Sequence, residues 1–475
     1  MVAARYDAVV VGSGPNGLTA ALTLAQAGKS VLVLEAADRI GGGTKSAELT
    51  LPGFRHDICS AVHPLAVASP YLRSLPLDEH GLRFLYPEIE IAHPLDDRPA
   101  AVTHRSVATT AAQFGSRSGR YRRLLEPLLD EWDAVLDAVL HPVLRVPRHP
   151  VTLGRFGLRA LPSAAMIGRL LDDDRAAALF AGCAAHSFLP LTHPLTGSFG
   201  SLLLLAAHAR GWPVAEGGSQ SIADALASMY AGCGGEVRTG IRVRSMRDLP
   251  PHRVALFDTD PVQLADIAGD ALPQRYARRL RRFRSGPAAW KVDYALDGPV
   301  PWTDPACAVA GTVHIGGALA DIASAEADVH DGRMPDRPFV LAAQQSIIDP
   351  SRAPPGRHTL WAYAHVPNGF SGDATDAVER QIERFAPGFR DMILARHVMS
   401  PRWIEDHNPN NRGGDISAGS HGGTQMFLRP TRALHAYRTP NPSIWLCSAS
   451  TPPGAGVHGM CGHNAATAVL SRRLA

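Results

Sequence analysis

The stretch of sequence that decides the fold is residues 6–35, YDAVVVGSGPNGLTAALTLAQAGKSVLVLE. Residues 6–11 form a short apolar run that ends at a glycine, which is the pattern of a buried strand. Residues 15–27 have the apolar spacing of a helix that stops at Gly28, and residues 30–34 are a second apolar run that ends at Glu35. This order predicts a strand–helix–strand unit with parallel strands and a right-handed crossover.

The turn between the first strand and the helix has the spacing GxGxxG, and it reads Gly12-Ser13-Gly14-Pro15-Asn16-Gly17. The first glycine permits a tight turn, the second lets the backbone approach a pyrophosphate, and the third lets helix and strand pack closely. The N-terminus of the helix offers free N–H groups and a partial positive charge to the phosphates. The sequence therefore predicts a dinucleotide site here.

The acid that ends the second strand is Glu35, followed by Ala36, at about the 20-residue distance expected for a ribose-binding carboxylate. Such a carboxylate accepts hydrogen bonds from the ribose hydroxyls and repels a 2′-phosphate. We therefore expect Glu35 and Ala36 to contact the adenosine end of the cofactor, and we expect NADP to be disfavoured.

A second glycine-rich turn follows directly, with Arg39 and the run Gly41-Gly42-Gly43-Thr44. It resembles the second diphosphate contact of the FAD-dependent amine oxidase and phytoene desaturase group. Its glycines leave backbone N–H groups open to the cofactor, and Arg39 adds positive charge. The turn favours FAD over NAD as the cofactor.

Three later stretches extend this resemblance along the chain: EGGSQSIADAL at 216–226, LCSASTPPGAGVHG at 446–459 and GHNAA at 462–466. They resemble elements of the phytoene desaturase and carotenoid ketolase superfamily, nearest its pyridine nucleotide-disulfide oxidoreductase domain-containing branch. The resemblance implies a helix that begins near Asn464 with its N-terminus facing the flavin. It also implies further FAD contacts at Val62, Val243, Thr259, Gly456, Val457, Met460 and Asn464.

The predicted fold class is α/β, with a two-dinucleotide-binding (Rossmann-type) FAD domain and a discontinuous α+β substrate domain. The FAD domain is expected at 1–105, 215–275 and 435–475, and the substrate domain at 106–214 (helical) and 276–434 (sheet plus helices). Strands are expected at 236–244, 254–258 and 443–449, and an antiparallel sheet at 288–366. Helices are expected at 221–231, 374–385 and 464–470.

Composition and charge exclude several classes of protein. The net charge of +3 gives no reason to expect a nucleic-acid partner. The six cysteines have neither CxxC nor metal-ligand spacing, so we expect buried free thiols in a reducing cytosol, no metal site and no thiol–disulfide reductase.

Residues 1–7 lack the pattern of a signal peptide and no apolar run is long enough to span a membrane, which predicts a cytoplasmic protein. The arginines at 275–284 favour a solvated helix face with Leu280 turned inward, and contact with a membrane surface is the alternative.

The resemblance implies that the protein desaturates or oxidises an apolar or partly apolar small molecule by hydride transfer to flavin N5. Oxygen or a quinone is the expected electron acceptor, because the chain has no second GxGxxG turn. A neutral imidazole suits the accompanying proton transfer, and the candidates are His458, which is the strongest, His421 and His63.

Where relatives carry other residues, this chain has Pro453, Ser448 and the run 417–419, so the substrate side is altered. A polyene isomerase without net redox change, or a protein that binds FAD without turnover, remain alternatives.

Overall fold

The computed structural model describes residues 6–142, 145–433 and 435–474. Strands β1 to β16 span Tyr6–Val11, Val31–Leu34, Ser46–Glu48, Arg55–Asp57, Phe84–Leu85, Ile89–Leu95, Arg98–Thr103, Val214–Ala215, Glu236–Arg238, His252–Phe257, Ala288–Leu296, Ala310–Ile315, Val340–Ala343, His358–Val366, Ile393–Met399 and Ile444–Leu446. Helices α1 to α19 span Pro15–Gln26, Pro64–Ala68, Pro70–Arg73, Val107–Ala112, Ser118–Leu129, Trp132–Val139, Pro150–Ala160, Ala164–Leu171, Asp174–Ala185, Thr196–Arg210, Gln220–Gly232, Pro261–Ala268, Gln274–Arg281, Pro305–Ala308, Leu319–His330, Gln345–Ile348, Thr375–Phe385, Pro401–His407 and Met460–Arg472.

The first sheet is a five-stranded parallel sheet in the order β16-β10-β1-β2-β9. Successive residues of a strand face opposite sides, so Ala8 and Val10 pack with α1, α11 and α19. Val9 and Val11 face the other way and pack with α12 and α13. Both faces are covered, which is why these strands are apolar throughout. The predicted α/β class with a Rossmann-type domain is confirmed.

The second sheet has seven strands in the order β15-β11-β14-β13-β12-β6-β7, and β12 and β6 are its parallel pair. On one face of β11, Trp290, Val292 and Tyr294 join a core that α17 helps to cover. Lys291 and Asp293 alternate with them and face the opposite side. At β11 this side faces the segment at 56–59, since His56 lies 3.7 Å from Asp293. Farther along the sheet α9 packs on β6, β7 and β12. The segment 107–210 is helical, as predicted.

Three sequence-based boundaries are wrong, each for a local reason. The strand predicted over 236–244 ends at Arg238, because Gly240 and Ile241 donate backbone hydrogen bonds to Ala37 O and Glu35 O instead of continuing the ladder. The strand predicted over 443–449 is only Ile444–Leu446, since a turn begins at residue 448. The last helix begins at Met460 rather than at 464, directly after Gly459.

Strands β6 and β7 were assigned by sequence to the first part of the FAD domain, but they pair within the second sheet. Their place is set by the parallel ladder between β6 and β12, which joins residues more than 200 positions apart in the chain. The other expected boundaries between domains stay predictions.

The six cysteines, all within the described ranges, are free thiols. Four are buried as expected, whereas Cys59 is half-buried and Cys233 is exposed, so the expectation of buried thiols is wrong for Cys233. No helix among the described residues is long and apolar enough to cross a bilayer.

Candidate functional site

A groove of about 360 Å³ lies at the carboxyl ends of β1, β2 and β10. Ligand sites in parallel sheets are expected at this edge. Segments from four distant parts of the chain line the groove. The predicted cofactor contacts among them are Gly12, Ser13, Gly14, Pro15, Asn16, Glu35, Ala36, Gly42, Gly43, Thr44, Val243, Thr259, Gly456 and Val457.

The first glycine turn has the geometry that its spacing predicts. Gly12 has a φ of +104°, a backbone conformation that L side chains rarely adopt. A Cβ at position 17 would collide with the carbonyl oxygen of Gly12, so only glycine lets α1 start this close to β1. Gly14 caps α1 without a side-chain hydrogen bond, and Gly17 N donates to Asp258, so the N–H group that the first turn of the helix can offer an anion is that of Asn16.

The second glycine turn packs directly on the first. A Cβ at Gly42 would lie 2.9 Å from the Cα atom of Gly14. The turn is a short 3-10 segment, Gly42–Thr44, in which the Thr44 hydroxyl donates to the carbonyl oxygen of Gly41. The two turns therefore present adjoining stretches of backbone to the same groove.

The carboxylate of Glu35 is held at the edge of the groove by its neighbours. Its Oε2 atom accepts hydrogen bonds from Ser13 N at 2.9 Å and from Ser13 Oγ at 2.5 Å, and its Oε1 atom accepts one from Ala37 N at 2.9 Å. Each carboxylate oxygen can accept more than one hydrogen bond. Glu35 is therefore oriented for the ribose hydroxyls while it still has capacity to bind them.

Asp258 is a groove residue that the sequence reasoning missed. Its Oδ2 atom accepts a hydrogen bond from Gly17 N at 2.9 Å, and a Cβ at Gly14 would lie 2.7 Å from the same oxygen. Burial, with a smaller contribution from the nearby Glu35 charge, raises the pKa of Asp258 to about 7. An acid directly after a buried strand was the signal that could have identified it.

Two buried oxygens of the groove have no hydrogen-bond partner within the described part of the chain: Asn16 Oδ1 and Thr259 Oγ1. Unsatisfied buried polar atoms are costly, and both of these residues line the groove. A dinucleotide there would give both atoms partners, and the two backbone turns suit its diphosphate. The groove runs on to the C-terminal turn at Gly456, which gives it room for a second ring system. The residues present therefore fit FAD.

Six predicted cofactor contacts lie outside the groove lining, and the structure gives each another place. Gly17 lies beneath the first turn, Gly41 packs near Gln220, and Val62 lines an adjoining cavity. Arg39 is exposed and donates to Ser46 O at 3.3 Å, and its contribution of positive charge to the cofactor stays a prediction. Met460 is buried, and the Asn464 side chain donates to Leu140 O at 3.1 Å because α19 begins a turn earlier than predicted.

A second cavity, of about 190 Å³, shares Ser60, Gly456 and Val457 with the groove. Its walls are mostly aromatic and aliphatic. They include Val62, Leu65, Leu203, Trp212, Leu341, Trp361 and Tyr363. Within the described ranges its histidines are His63 and His186, and Tyr363 is its other titratable residue. The cavity can exclude water from an apolar molecule beside the cofactor groove.

A smaller cavity of about 30 Å³ borders the groove at Cys59, and Lys291 is one of the residues that line it. This ammonium forms an ion pair with Asp293 and lies 5.5 Å from the centre of the Trp361 ring. Burial lowers the pKa of Lys291. The sequence reasoning did not nominate Lys291, although a lysine and an aspartate two residues apart in an apolar strand were a usable signal.

His63 is the candidate base that lies at the second cavity. Its Nε2 atom is 2.8 Å from Ser219 Oγ, and that hydroxyl donates its hydrogen to Ser60 O at 2.7 Å. The hydroxyl must therefore accept from His63, so Nε2 carries the imidazole proton and Nδ1 has the free lone pair. Nδ1 has no partner among the described residues, and burial lowers the pKa of His63 to about 4. The ring is a neutral base at neutral pH.

His458 and His421, by contrast, line neither the groove nor the adjoining cavities of the described structure. His458 Nδ1 accepts from Met460 N at 3.0 Å, which fixes the ring inside the C-terminal turn. His421 Nδ1 donates to Ser187 O at 3.0 Å. Burial lowers the pKa of His458 to about 4 and that of His421 to about 3. The structure therefore gives His63 a place at a cavity wall and His458 none, and the choice of base stays a prediction.

A buried ion network anchors the serine that orients His63. Ser219 N donates to Asp57 Oδ1 at 2.8 Å, and Arg352 Nη1 donates to Asp57 Oδ2 at 3.0 Å. Arg352 Nε also donates to Asp349 Oδ2 at 2.8 Å. The network joins the segments at 57, 219 and 349–352, which lie far apart in the sequence.

No group of His, Cys, Asp and Glu side chains in the described residues could hold a metal ion.

Comparison with known proteins agrees with this geometry. A family model described as a NAD(P)-binding Rossmann-like domain matches residues 10–75. The chain is 24% identical to mouse pyridine nucleotide-disulfide oxidoreductase domain-containing protein 2, over 98% of this chain and 93% of that protein. It is 26% identical to hydroxyneurosporene desaturase of Cereibacter sphaeroides, over 98% and 97% of the two chains. A solved putrescine oxidase variant superimposes with a TM-score of 0.63 at 19% identity, over 98% of this chain and 99% of that one.

The resemblance stated from the motifs is confirmed by these homologues, and so is the oxidoreductase class. The fold and the two glycine turns agree with these matches, which cover 98% of the chain. The protein is thus a Rossmann-type oxidoreductase homologous to pyridine nucleotide-disulfide oxidoreductase domain-containing protein 2 and to the carotenoid desaturases.

Proposed function

We propose that the protein is an FAD-dependent oxidoreductase that desaturates or oxidises an apolar or partly apolar small molecule. The observation that carries this proposal is the apolar cavity beside the groove, which shares three lining residues with it and has a neutral imidazole in its wall. Bound FAD would supply the acceptor for a hydride from the substrate.

The chain's own residues bind and orient the substrate in this proposal. Trp361, Tyr363 and Leu341 would hold the apolar part of the molecule and exclude water. The His63 Nδ1 lone pair would accept the proton from the carbon next to the one that loses hydride. Ser219 Oγ accepts from the other ring nitrogen, so the ring proton stays on Nε2 and the lone pair on Nδ1. Oxygen or a quinone remains the proposed electron acceptor.

The function is tested by the absorption spectrum of the purified protein without oxygen, before and after addition of lipid and polar extracts from its host. We expect an oxidised-flavin band that one extract bleaches. Mixing the reduced protein with oxygen or with a soluble quinone then distinguishes the two acceptors. A band that no extract bleaches, with product formed only after chemical reduction, would favour a polyene isomerase and overturn the proposal.

The role of His63 is tested with His63→Gln, whose amide can still bond Ser219. Loss of a positioned general base costs about 10² to 10⁴ in rate, so we expect bleaching by the active extract to slow by at least about 100-fold with unchanged FAD content. Because the pKa of His63 is lowered to about 4, the wild-type rate should rise with pH through that value and stay flat at neutral pH. A variant that bleaches at the wild-type rate would remove the base assignment and leave the oxidoreductase proposal intact.

A further inference from the structure

Two histidines line the second cavity, and the position of the proton on each ring decides what kind of ligand it can bind. His63 Nδ1 has no partner among the described residues, and the ring proton is on Nε2, which donates to Ser219 Oγ. His186 lines the same cavity, and its Nε2 atom lies 3.3 Å from His314 Nε2. One of these two nitrogens must donate and the other accept. A third histidine, His93, decides which.

His93 and His314 meet over Gly182 in the buried interior. His93 Nε2 lies 2.8 Å from Gly317 O, and a carbonyl oxygen only accepts, so Nε2 carries the proton and Nδ1 the lone pair. A Cβ at Gly182 would lie 2.7 Å from His314 Nδ1 and 3.0 Å from His93 Nδ1, so the two nitrogens face the same point. Neither has another partner in the described part of the chain. The proton of His314 is therefore favoured on Nδ1, opposite the lone pair of His93.

This row of histidines fixes the proton of His186. With its own proton on Nδ1, His314 accepts at Nε2 from His186, and the lone pair of His186 is left on Nδ1. Burial lowers the pKa of His93 to about 4 and that of His186 to about 3, and it lowers the pKa of His314 well below its ordinary value. All three rings are neutral at neutral pH. His186 and His63 therefore both offer the cavity a neutral imidazole with a free lone pair.

Hydrogen-bond donors without a partner belong to the same cavity. The indole N–H groups of Trp212 and Trp361, which line it, have no acceptor within the described ranges. The lining residues that the structure describes include no Asp, Glu, Lys or Arg, so a charged ligand would lack a counter-ion. A hydrocarbon would leave the imidazoles and the indoles unpaired. A hydroxyl group donates one hydrogen bond and accepts two, so it suits both kinds of group.

We propose that the second cavity binds an uncharged, largely apolar alcohol and that the protein oxidises it to a carbonyl compound. The inference rests on the proposed function and names the substrate class of that site. The C–H bond of the carbinol carbon breaks, and its electron pair leaves as hydride to the bound FAD. The O–H bond breaks as the C=O double bond forms, and the proton goes to His63 Nδ1. The hydroxyl oxygen thereby replaces the neighbouring carbon as the source of the proton.

The two histidines have different roles in this proposal. His63 is the acceptor of the reacting proton, because Ser219, which holds it, donates to Ser60 O, and Ser60 lines both the groove and the cavity. His186 is a specificity-determining residue that accepts a hydrogen bond from a further hydroxyl of the substrate, directly or through one water. The cavity volume of about 190 Å³ resembles the roughly 150 Å³ that takes up benzene. The reacting part of the alcohol is therefore about the size of one six-membered ring.

The test uses the host extract that bleaches the flavin band of the wild-type holoprotein. The extract is treated with acetic anhydride, which caps hydroxyl groups, and is then mixed with the protein without oxygen. We expect the acetylated extract not to bleach the band. Mild methoxide removes acetyl groups from oxygen and leaves amides intact, so it should restore bleaching. A hydrazine reagent should then detect a carbonyl product in the same amount as the reduced flavin.

The other outcomes separate the inference from the proposed function. An acetylated extract that bleaches as before would overturn the alcohol and leave the oxidoreductase proposal intact. Bleaching that methoxide does not restore would assign the substrate to an amine and would also overturn the inference. If no untreated extract bleaches the band, the proposed function fails and the inference fails with it.

The role of His186 is tested with His186→Phe, which removes its lone pair and leaves His63 in place. We expect the extract concentration for half-maximal bleaching to rise about fivefold, the effect of one lost hydrogen bond, with the maximal rate unchanged. His193→Phe is the matched control, since His193 lies outside the lining of the cavity. FAD content and circular dichroism verify folding. A His186→Phe protein with the half-maximal concentration of the wild type would overturn the role of His186.

Discussion

At the scale of single residues, the cofactor groove is arranged around acids that do not face solvent freely. Glu35 is held by Ser13 and Ala37, and the half-buried Asp258 lies against the first glycine turn. The low solvent access of the Asp258 carboxyl disfavours its charged form, so the stability of the folded protein should depend on pH.

The pKa of Asp258 is raised to about 7 in the folded protein, against an ordinary value of 3.8. Between these values the folded protein holds a proton that the unfolded chain releases, so the free energy of unfolding falls as pH rises, by up to about 1.4 kcal/mol per pH unit. Asp258→Asn removes this titration and can still accept from Gly17 N. We expect the midpoint temperature of unfolding to fall less for the variant than for the wild type as the pH is raised from 3.8 to about 7.

Thermal unfolding of both proteins at several pH values between 4 and 8 measures the effect. FAD content at each pH is the control, because loss of cofactor also lowers the midpoint. Parallel curves for the two proteins would contradict the assignment of a raised pKa to Asp258.

At the scale of secondary-structure elements, the groove depends on how closely α1 and α19 approach. A Cβ at Gly462 would collide with the carbonyl oxygen of Asn16 and lie 2.5 Å from Thr19 Oγ1. Asn16 lines the groove, so the helix contact sets the position of a cofactor-facing residue.

Gly462→Ala is expected to destabilise the protein by about 1–3 kcal/mol, the usual cost of overpacking, and to reduce FAD retention. Gly157→Ala in α7 is the matched control, since a Cβ there meets nothing within 4 Å. An alanine in an open helical position stabilises by up to about 1 kcal/mol. Urea unfolding and FAD content distinguish the two variants, and a Gly462→Ala protein with wild-type values for both would contradict the packing argument.

At the scale of the whole molecule, Arg352 joins parts of the chain that belong to different layers. Its guanidinium is fully buried and bonds Asp57, Asp349 and Ala215 O. Asp57 in turn holds Ser219, the partner of His63. The position of the candidate base therefore depends on an ion network that spans the interface between the two sheets' domains.

Arg352→Met leaves two carboxylates without their counter-charge, and removal of one partner of a buried ion pair costs about 3–5 kcal/mol. We expect the urea concentration at the midpoint of unfolding to be much lower for Arg352→Met than for the wild type. Arg333→Met is the matched control, because Arg333 pairs with Asp328 at the exposed surface and its loss should leave the midpoint unchanged. Equal midpoints for the two variants would show that the buried network does not hold the domains together.

The sequence by itself determined the nucleotide-binding half of the protein. A GxGxxG turn, the acid after the second strand and the second glycine turn are local patterns, and each acts through backbone geometry that the nearby residues dictate. Gly12, Gly14, Glu35 and Gly42 accordingly lie where the spacing predicts. The inward Leu280 of α13 followed from helical periodicity in the same way.

The tertiary structure alone decided which distant residues meet. Strands β6 and β7 belong to the second sheet because β6 pairs with β12, which lies far along the chain. His63 is a better placed base candidate than His458 because it lines the second cavity, where Ser219 from a distant segment fixes its tautomer. Lys291 and Asp258 carried local signals of their own, but only the fold brought them to the groove and to the small cavity beside it. Such contacts depend on long-range packing and burial, which no local pattern of residues specifies.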